Sequence, residues 1–241
     1  MKDLAYQALE TYMYPFSTIY GHKVKIWELL RNLIEFHFPD AKVIWDPTCG
    51  KDNYQFKEYL KRTEDGWIYA GRYKYYASDL LKTPWNCDKE SCLRVDVLNP
   101  PWDLPFEPDL VVYDPPYIPF KVSSKRNNAY GMDINRGLEG IRDYYAPRVF
   151  EAFAETVRKG LIVKGADFYL PKFSENLRLF LVDVLDLAAI RRWFKPVALY
   201  VYRYFTADAF IHRAMTSKAS QIRGIRRNII NHSYYLILKK K

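Results

Sequence analysis

Residues 93–120, LRVDVLNPPWDLPFEPDLVVYDPPYIPF, hold two copies of one pattern: Asn99, Pro100, Pro101, Trp102 and Asp114, Pro115, Pro116, Tyr117. In each copy a polar side chain precedes two prolines and a flat aromatic ring. Consecutive prolines remove two backbone donors and fix φ, so the turn is rigid and its carbonyls face outward instead of into a strand ladder. The polar residue can accept a hydrogen bond from an amine, and the ring can stack on a planar base. Spacing separates the two copies. Only WDLPFEPD stands between the first pair of prolines and the apolar run LVVY at 110–113. A parallel crossover needs about a dozen residues or more, and Pro105 and Pro108 keep this segment out of a helix. The first copy therefore belongs to a rigid loop after a strand at 93–98, where Trp102 is expected to pack into the core. The second follows LVVY directly and leads into a long polar segment and then a helix, which is the position of a ligand site at the carboxyl end of a strand in an open α/β sheet.

Outward from this stretch the chain alternates. KVKIWELLRNLIEFHF at 23–38 places Ile26, Leu29, Leu30, Leu33 and Ile34, with Phe36 as a further candidate, on one side at 3–4 spacing and stops at Pro39, the pattern of an amphipathic helix. A buried strand at 41–45 follows, then a helix over 53–62, a strand over 67–77 ending at Asp79, and the strand at 93–98 that contains Asp96. Beyond 110–113 come a helix at 143–158, a strand at 161–164, a helix at 174–190 and strands at 197–204 and 234–238. Strands separated by helices predict βαβ units. The expected fold is α/β, one Rossmann-like domain over 1–241, with a seven-stranded, mostly parallel sheet and helices on both faces. The last two strands lack an evident crossover and are expected to add an antiparallel edge.

Composition narrows the setting. The hydrophobic fraction of 49% and charged fraction of 27% are those of a globular protein, with an unusual 17% of aromatics. No apolar run approaches the ~18–20 residues that span a bilayer, and MKDLAYQALE is too acidic for a signal peptide, so a cytoplasmic protein is expected, with no membrane partner. Cys49, Cys87 and Cys92 form no Cys-x-x-Cys pair and the four histidines are scattered, which suggests reduced thiols and no metal site. The net charge of +9 is segregated: from Leu187 onward twelve Lys or Arg face a single acid, Asp208, leaving about −2 for residues 1–186. A basic end with interleaved aromatics is the electrostatic footprint of a nucleic-acid binder.

Three more acids sit at strand ends. In VIWDPTCG an apolar strand runs into Asp46, Pro47, Thr48, Cys49 and Gly50, a short turn where a carboxylate can receive an ammonium group and glycine lets backbone approach a ligand. Asp79 follows the next strand, where a carboxylate commonly accepts ribose hydroxyls. Asp96, on the strand after that, can accept an exocyclic amine in the same way.

DPPY after an apolar strand, with DPTCG after an earlier one, resembles the S-adenosylmethionine-dependent amino-methyltransferases that modify adenine N6 or cytosine N4. The helix at 23–38 is similar to the family's helix before the cofactor turn, and NHSYYLILKK is similar to its last strand. The resemblance spans about 14–240, and its motif order is like that of the γ-arranged enzymes. It implies S-adenosylmethionine as cofactor, held by Lys23, Asp46, Thr48 and Gly50 at the methionine end, by Asp79 at the ribose and by Asp96 at the adenine amine. It makes Asp114, Pro115, Pro116 and Tyr117 catalytic and requires no metal. Two features depart from the family: its Gly-x-Gly turn is Gly50, Lys51, Asp52 here, and a large target-recognition domain is absent. Recognition of nucleic acid, with DNA favoured, then falls to 118–142, with Lys125, Arg126 and Arg136, and to 206–231, with Arg213, Lys218, Arg223, Arg226 and Arg227. Adenine N6 is the expected target; cytosine N4 in DNA, a base in ribosomal RNA, and binding without catalysis are the alternatives.

Overall fold

The computed structural model describes residues 16–20, 25–50, 56–64, 66–79, 92–115, 143–165, 168–169, 177–178, 188–203 and 232–241. Its elements are β1 (Phe16–Tyr20), α1 (Ile26–His37), β2 (Val43–Asp46), a short 3₁₀ turn (Lys57–Tyr59), β3 (Leu60–Thr63), β4 (Gly66–Tyr69), β5 (Tyr73–Asp79), β6 (Cys92–Arg94) and β7 (Leu110–Tyr113). Then follow α2 (Pro147–Thr156), β8 (Gly160–Gly165), β9 (Phe168–Tyr169), β10 (Leu177–Arg178), α3 (Ala188–Trp193), β11 (Phe194–Arg203) and β12 (His232–Lys240).

The fold is α/β with a mixed sheet. Its centre is parallel: β5 pairs β2, β2 pairs β7 and β7 pairs β8 in parallel, and β6 lies parallel to the last residues of β5. These five strands therefore run β6-β5-β2-β7-β8, and the order reverses between β2 and β7. That is the switch point at which open α/β sheets leave a crevice at the carboxyl ends of their strands. Antiparallel β12 lies between β8 and β11, and β1 adds to the far side of β11 in parallel.

The structure departs from several of these expectations. Among the described residues the main sheet has ten strands, not seven. The last strand is antiparallel but internal, because β12 pairs on both sides. The helix expected over 53–62 is, where described, a 3₁₀ turn and β3, and the single strand expected over 67–77 is β4 and β5 of a hairpin. The cause is the turn between them, where Ala70 (φ 51°) and Gly71 (φ 71°) are both left-handed and reverse the chain. β3 and β4 thus occupy the outer edge of β5 along its first half, and β6 takes the second half. Within 174–190 the described residues include the short strand β10 and the start of α3, so that span is not one helix.

Strand alternation sorts the core into two clusters. Ile44, Leu110, Val112, Ile162 and Ile237 pack with Ile26, Leu29, Leu30, Leu33 and Ile34 of α1, whereas Phe36, a candidate for the same face, is exposed. Trp45, Val111, Tyr113, Leu161, Val163 and Leu236 pack with Val149, Phe150 and Phe153 of α2 and Ile190 of α3. Each fully buried aliphatic or aromatic side chain contributes about 1.5–3 kcal/mol, which is why α1 forms although Lys25 gives its N-terminus no side-chain cap. Pro147 opens α2, its missing N–H being an orphan donor there in any case.

The strand starts are stapled by Asp109. The amides of Lys42 (2.7 Å) and Val43 (3.1 Å) donate to its Oδ2, and Arg158 Nε lies 3.0 Å from Oδ1. This lock leaves the opposite, carboxyl ends of the same strands for the site.

Candidate functional site

Parallel register decides which side chains meet. Asp46 ends β2, level with Ala77 of β5, so Asp79 stands two residues beyond it. Tyr113 is paired with Val163, so the next residues, Asp114 and Lys164, are neighbours at the ends of β7 and β8. The result is a convergence of Asp46, Asp79, Asp114 and Lys164 at the switch point.

The turn after β2 is held by this set. Asp46 is 2% exposed; the Thr48 amide donates to its Oδ1 (3.1 Å) and the Tyr75 hydroxyl to its Oδ2 (3.1 Å). The amide of Cys49 donates to the Ser78 carbonyl (3.2 Å), and that of Gly50 to Asp79 Oδ2 (3.1 Å). Gly50 has φ +61°, the left-handed conformation glycine adopts most cheaply, so the turn's tight residue is Gly50. The amide of Asp114 donates to Thr48 Oγ1 (2.9 Å), which ties the DPPY element directly to the DPTCG turn.

Lys164 was not singled out from the sequence. It is 4% exposed, and its Nζ donates to Asp114 Oδ2 at 2.7 Å. A lysine closing LIVK reads as the polar end of a strand; only the adjacency of β7 and β8 makes it a partner of Asp114. Tyr75 was missed for the same reason, since its hydroxyl reaches Asp46 on the neighbouring strand β2.

Burial sets the electrostatics. Desolvation pushes the Asp46 carboxyl up to about 8 against the opposing pull of its two hydrogen bonds, and the negative fields of Asp114 and Asp79 add to the rise. Burial therefore favours the protonated form of Asp46. Burial, then Asp46 and Asp79, raise the Cys49 thiol, so it is an inert small side chain. The Tyr144 phenol is raised to about 12, first by burial and then by the carboxylates of Asp96 and Asp79.

Asp96 lies beyond β6 rather than on it. Its Oδ1 accepts from the Leu98 amide (3.0 Å) and its Oδ2 from Asn99 Nδ2, so this carboxylate first organises its own turn. The NPPW copy is an anchor. Trp102 Nε1 donates to the Asp96 carbonyl (3.1 Å), and its ring meets Trp45 edge-on at 5.2 Å and Phe153 at 4.9 Å. Tyr76 stacks on Phe106 at 3.8 Å in the same loop. The loop at 99–108 thus covers the core where a crossover helix is missing.

Asp46, Thr48, Gly50, Asp79, Asp114 and Pro115 are brought to one end of the sheet, with Asp96 in the turn after β6. Pro116, Tyr117, Lys23, the segment 118–142 with Lys125, Arg126 and Arg136, and the segment 206–231 with Arg213, Lys218, Arg223, Arg226 and Arg227 lie outside the described residues. Among the described residues no three His, Cys, Asp or Glu side chains are grouped as metal ligands, and no helix is long and apolar enough to cross a membrane. No protein-family model matches the chain, and no curated protein matches its sequence.

Proposed function

We propose that this chain transfers a methyl group from S-adenosylmethionine to an exocyclic amine of nucleic acid, with adenine N6 in DNA favoured. The observation that carries the reading is the 2.9 Å hydrogen bond from the Asp114 amide to Thr48 Oγ1, which joins the two turns at the switch point of the sheet. A crevice there is the expected place for a nucleoside ligand in a doubly wound sheet, and the parallel order β6-β5-β2-β7-β8 has the 3-2-1-4-5 form of such sheets.

The residues suit the cofactor. Its sulfonium and ammonium are cations, and Asp46 and Asp79 supply carboxyl groups at the turn; Gly50 keeps a side chain out of the approach. Asp46 and Thr48 would hold the methionine end, Asp79 the ribose and Asp96 the adenine side. When bound, S-adenosylmethionine supplies an activated methyl group, so no covalent enzyme intermediate is needed. Asp114 accepts a hydrogen bond from the target NH2 and the Pro115 carbonyl accepts another, which turns the nitrogen lone pair out of conjugation and orients it; the N–CH3 bond would form as the S–CH3 bond breaks, S-adenosylhomocysteine would leave, and the surplus N–H proton would pass by way of Asp114 to solvent. Tyr117 stacks on the extruded base.

Digestion and mass spectrometry of DNA and RNA from cells expressing the protein, with Asp114→Ala as control, test the reading. N6-methyladenine in DNA that appears with the wild type and disappears with Asp114→Ala is the expected result. Equal amounts with both would remove the catalytic assignment, and N4-methylcytosine or a methylated RNA base in its place would redirect the target.

A further inference from the structure

We propose that Lys164 is a positioning residue for Asp114, clamping one carboxylate oxygen so that the group meets an uncharged planar amine in one fixed orientation. This rests on the methyl-transfer reading above and adds a residue and a charge requirement to it. All six residues of β8, GLIVKG, are buried, and Lys164 places an ammonium in that setting. A buried ion pair is a poor source of stability, because desolving the two charges offsets most of their attraction. An apolar residue in this strand would serve the core as well, so the lysine is better explained by the site it enters.

The clamp is itself rigid. Lys164 is paired with Tyr235 in the β8–β12 ladder, the Tyr145 hydroxyl donates to its carbonyl (3.4 Å), and its Nζ lies 5.9 Å from the Tyr235 ring. Asp46 of β2 lies close enough to feel the Asp114 charge, and Tyr145 before α2 and Tyr235 of β12 flank Lys164. A carboxylate offers about four acceptor directions, so it can hold an ammonium and an amine N–H together. Once partly neutralised, it attracts a second cation weakly, which favours a neutral nucleobase or amide nitrogen over a lysyl or arginyl side chain.

The test compares wild type, Lys164→Met, Lys164→Arg, Asp114→Asn and the double variant Lys164→Met/Asp114→Asn, using methyl transfer to the nucleic acid identified above, cofactor affinity by calorimetry, and thermal unfolding. Lys164→Met is expected to lower kcat about 100-fold, the scale of a misplaced reacting group, with the cofactor KM within about threefold. Lys164→Arg is expected to recover at least tenfold of that loss, and the double variant to be no slower than Asp114→Asn alone. A Lys164→Met enzyme within threefold of wild-type kcat, a loss confined to KM, or no recovery with arginine overturns the proposal. Should Lys164→Met fail to fold, Lys164→Gln is judged by the same thresholds. A wild type that methylates nothing sinks the functional reading and this proposal together, whereas an active Lys164→Met sinks this proposal alone.

Discussion

Asp46 holds its proton to about pH 8 because burial removes the water that would stabilise its charge. An unfolded aspartate loses its proton near 3.9. Between those values the folded state binds more protons than the unfolded one, so this group makes stability fall as pH rises through the window from about 4 to 8. Asp46→Asn cannot ionise and lacks that slope. Urea midpoints from pH 5 to 8.5 should therefore show the variant gaining on wild type by up to about 1.4 kcal/mol per pH unit and levelling above pH 8; parallel curves would contradict the assignment. At this scale the chain was partly legible. Two like patterns were separated by counting residues to the next strand, and Trp102 does pack into the core. Lys164 was invisible, since its meaning lies in a strand 50 residues from Asp114.

Elements with a strong local period were the readable ones. The helix expected over 23–38 is α1, trimmed to Ile26–His37, and the run at 110–113 is β7 unchanged. The helix expected over 53–62 is replaced, in the described residues 56–62, by a 3₁₀ turn and β3, because a few polar and aromatic residues carry no decisive period and pairing with β4 overrode helix preference. Close approach of strands is likewise unreadable in advance. Gly160 opens β8 opposite Lys239, and a β-carbon there would run into the Leu238 carbonyl oxygen and stand 2.8 Å from the Phe38 ring. Gly160→Ala should cost about 1–3 kcal/mol through overpacking, read as a lower thermal midpoint; an unchanged midpoint would mean that β8 and β12 can spread at no cost.

For the whole molecule, charge and strand order carry different information. The +11 carried from Leu187 onward against about −2 before it is a property of the sequence, and it leads to a prediction about salt. Each phosphate neutralised contributes about −0.9 to the slope of log affinity against log salt on duplex DNA. Replacing Arg213, Lys218, Arg223, Arg226 and Arg227 by serine should flatten that slope by up to about 4–5 while leaving S-adenosylmethionine affinity unchanged in calorimetry. An unaltered slope would place the nucleic-acid contacts elsewhere. Read alone, the chain carries the α/β class, the carboxylates at strand ends and the rigid turn that follows β7, because hydrophobic period and proline chemistry act over a few residues. Which strands lie side by side is another matter: a period-2 pattern states which face is buried and never names the neighbour. Tertiary pairing alone set β7 between β2 and β8, and through that register it brought Asp114 to Thr48 on one side and to Lys164 on the other.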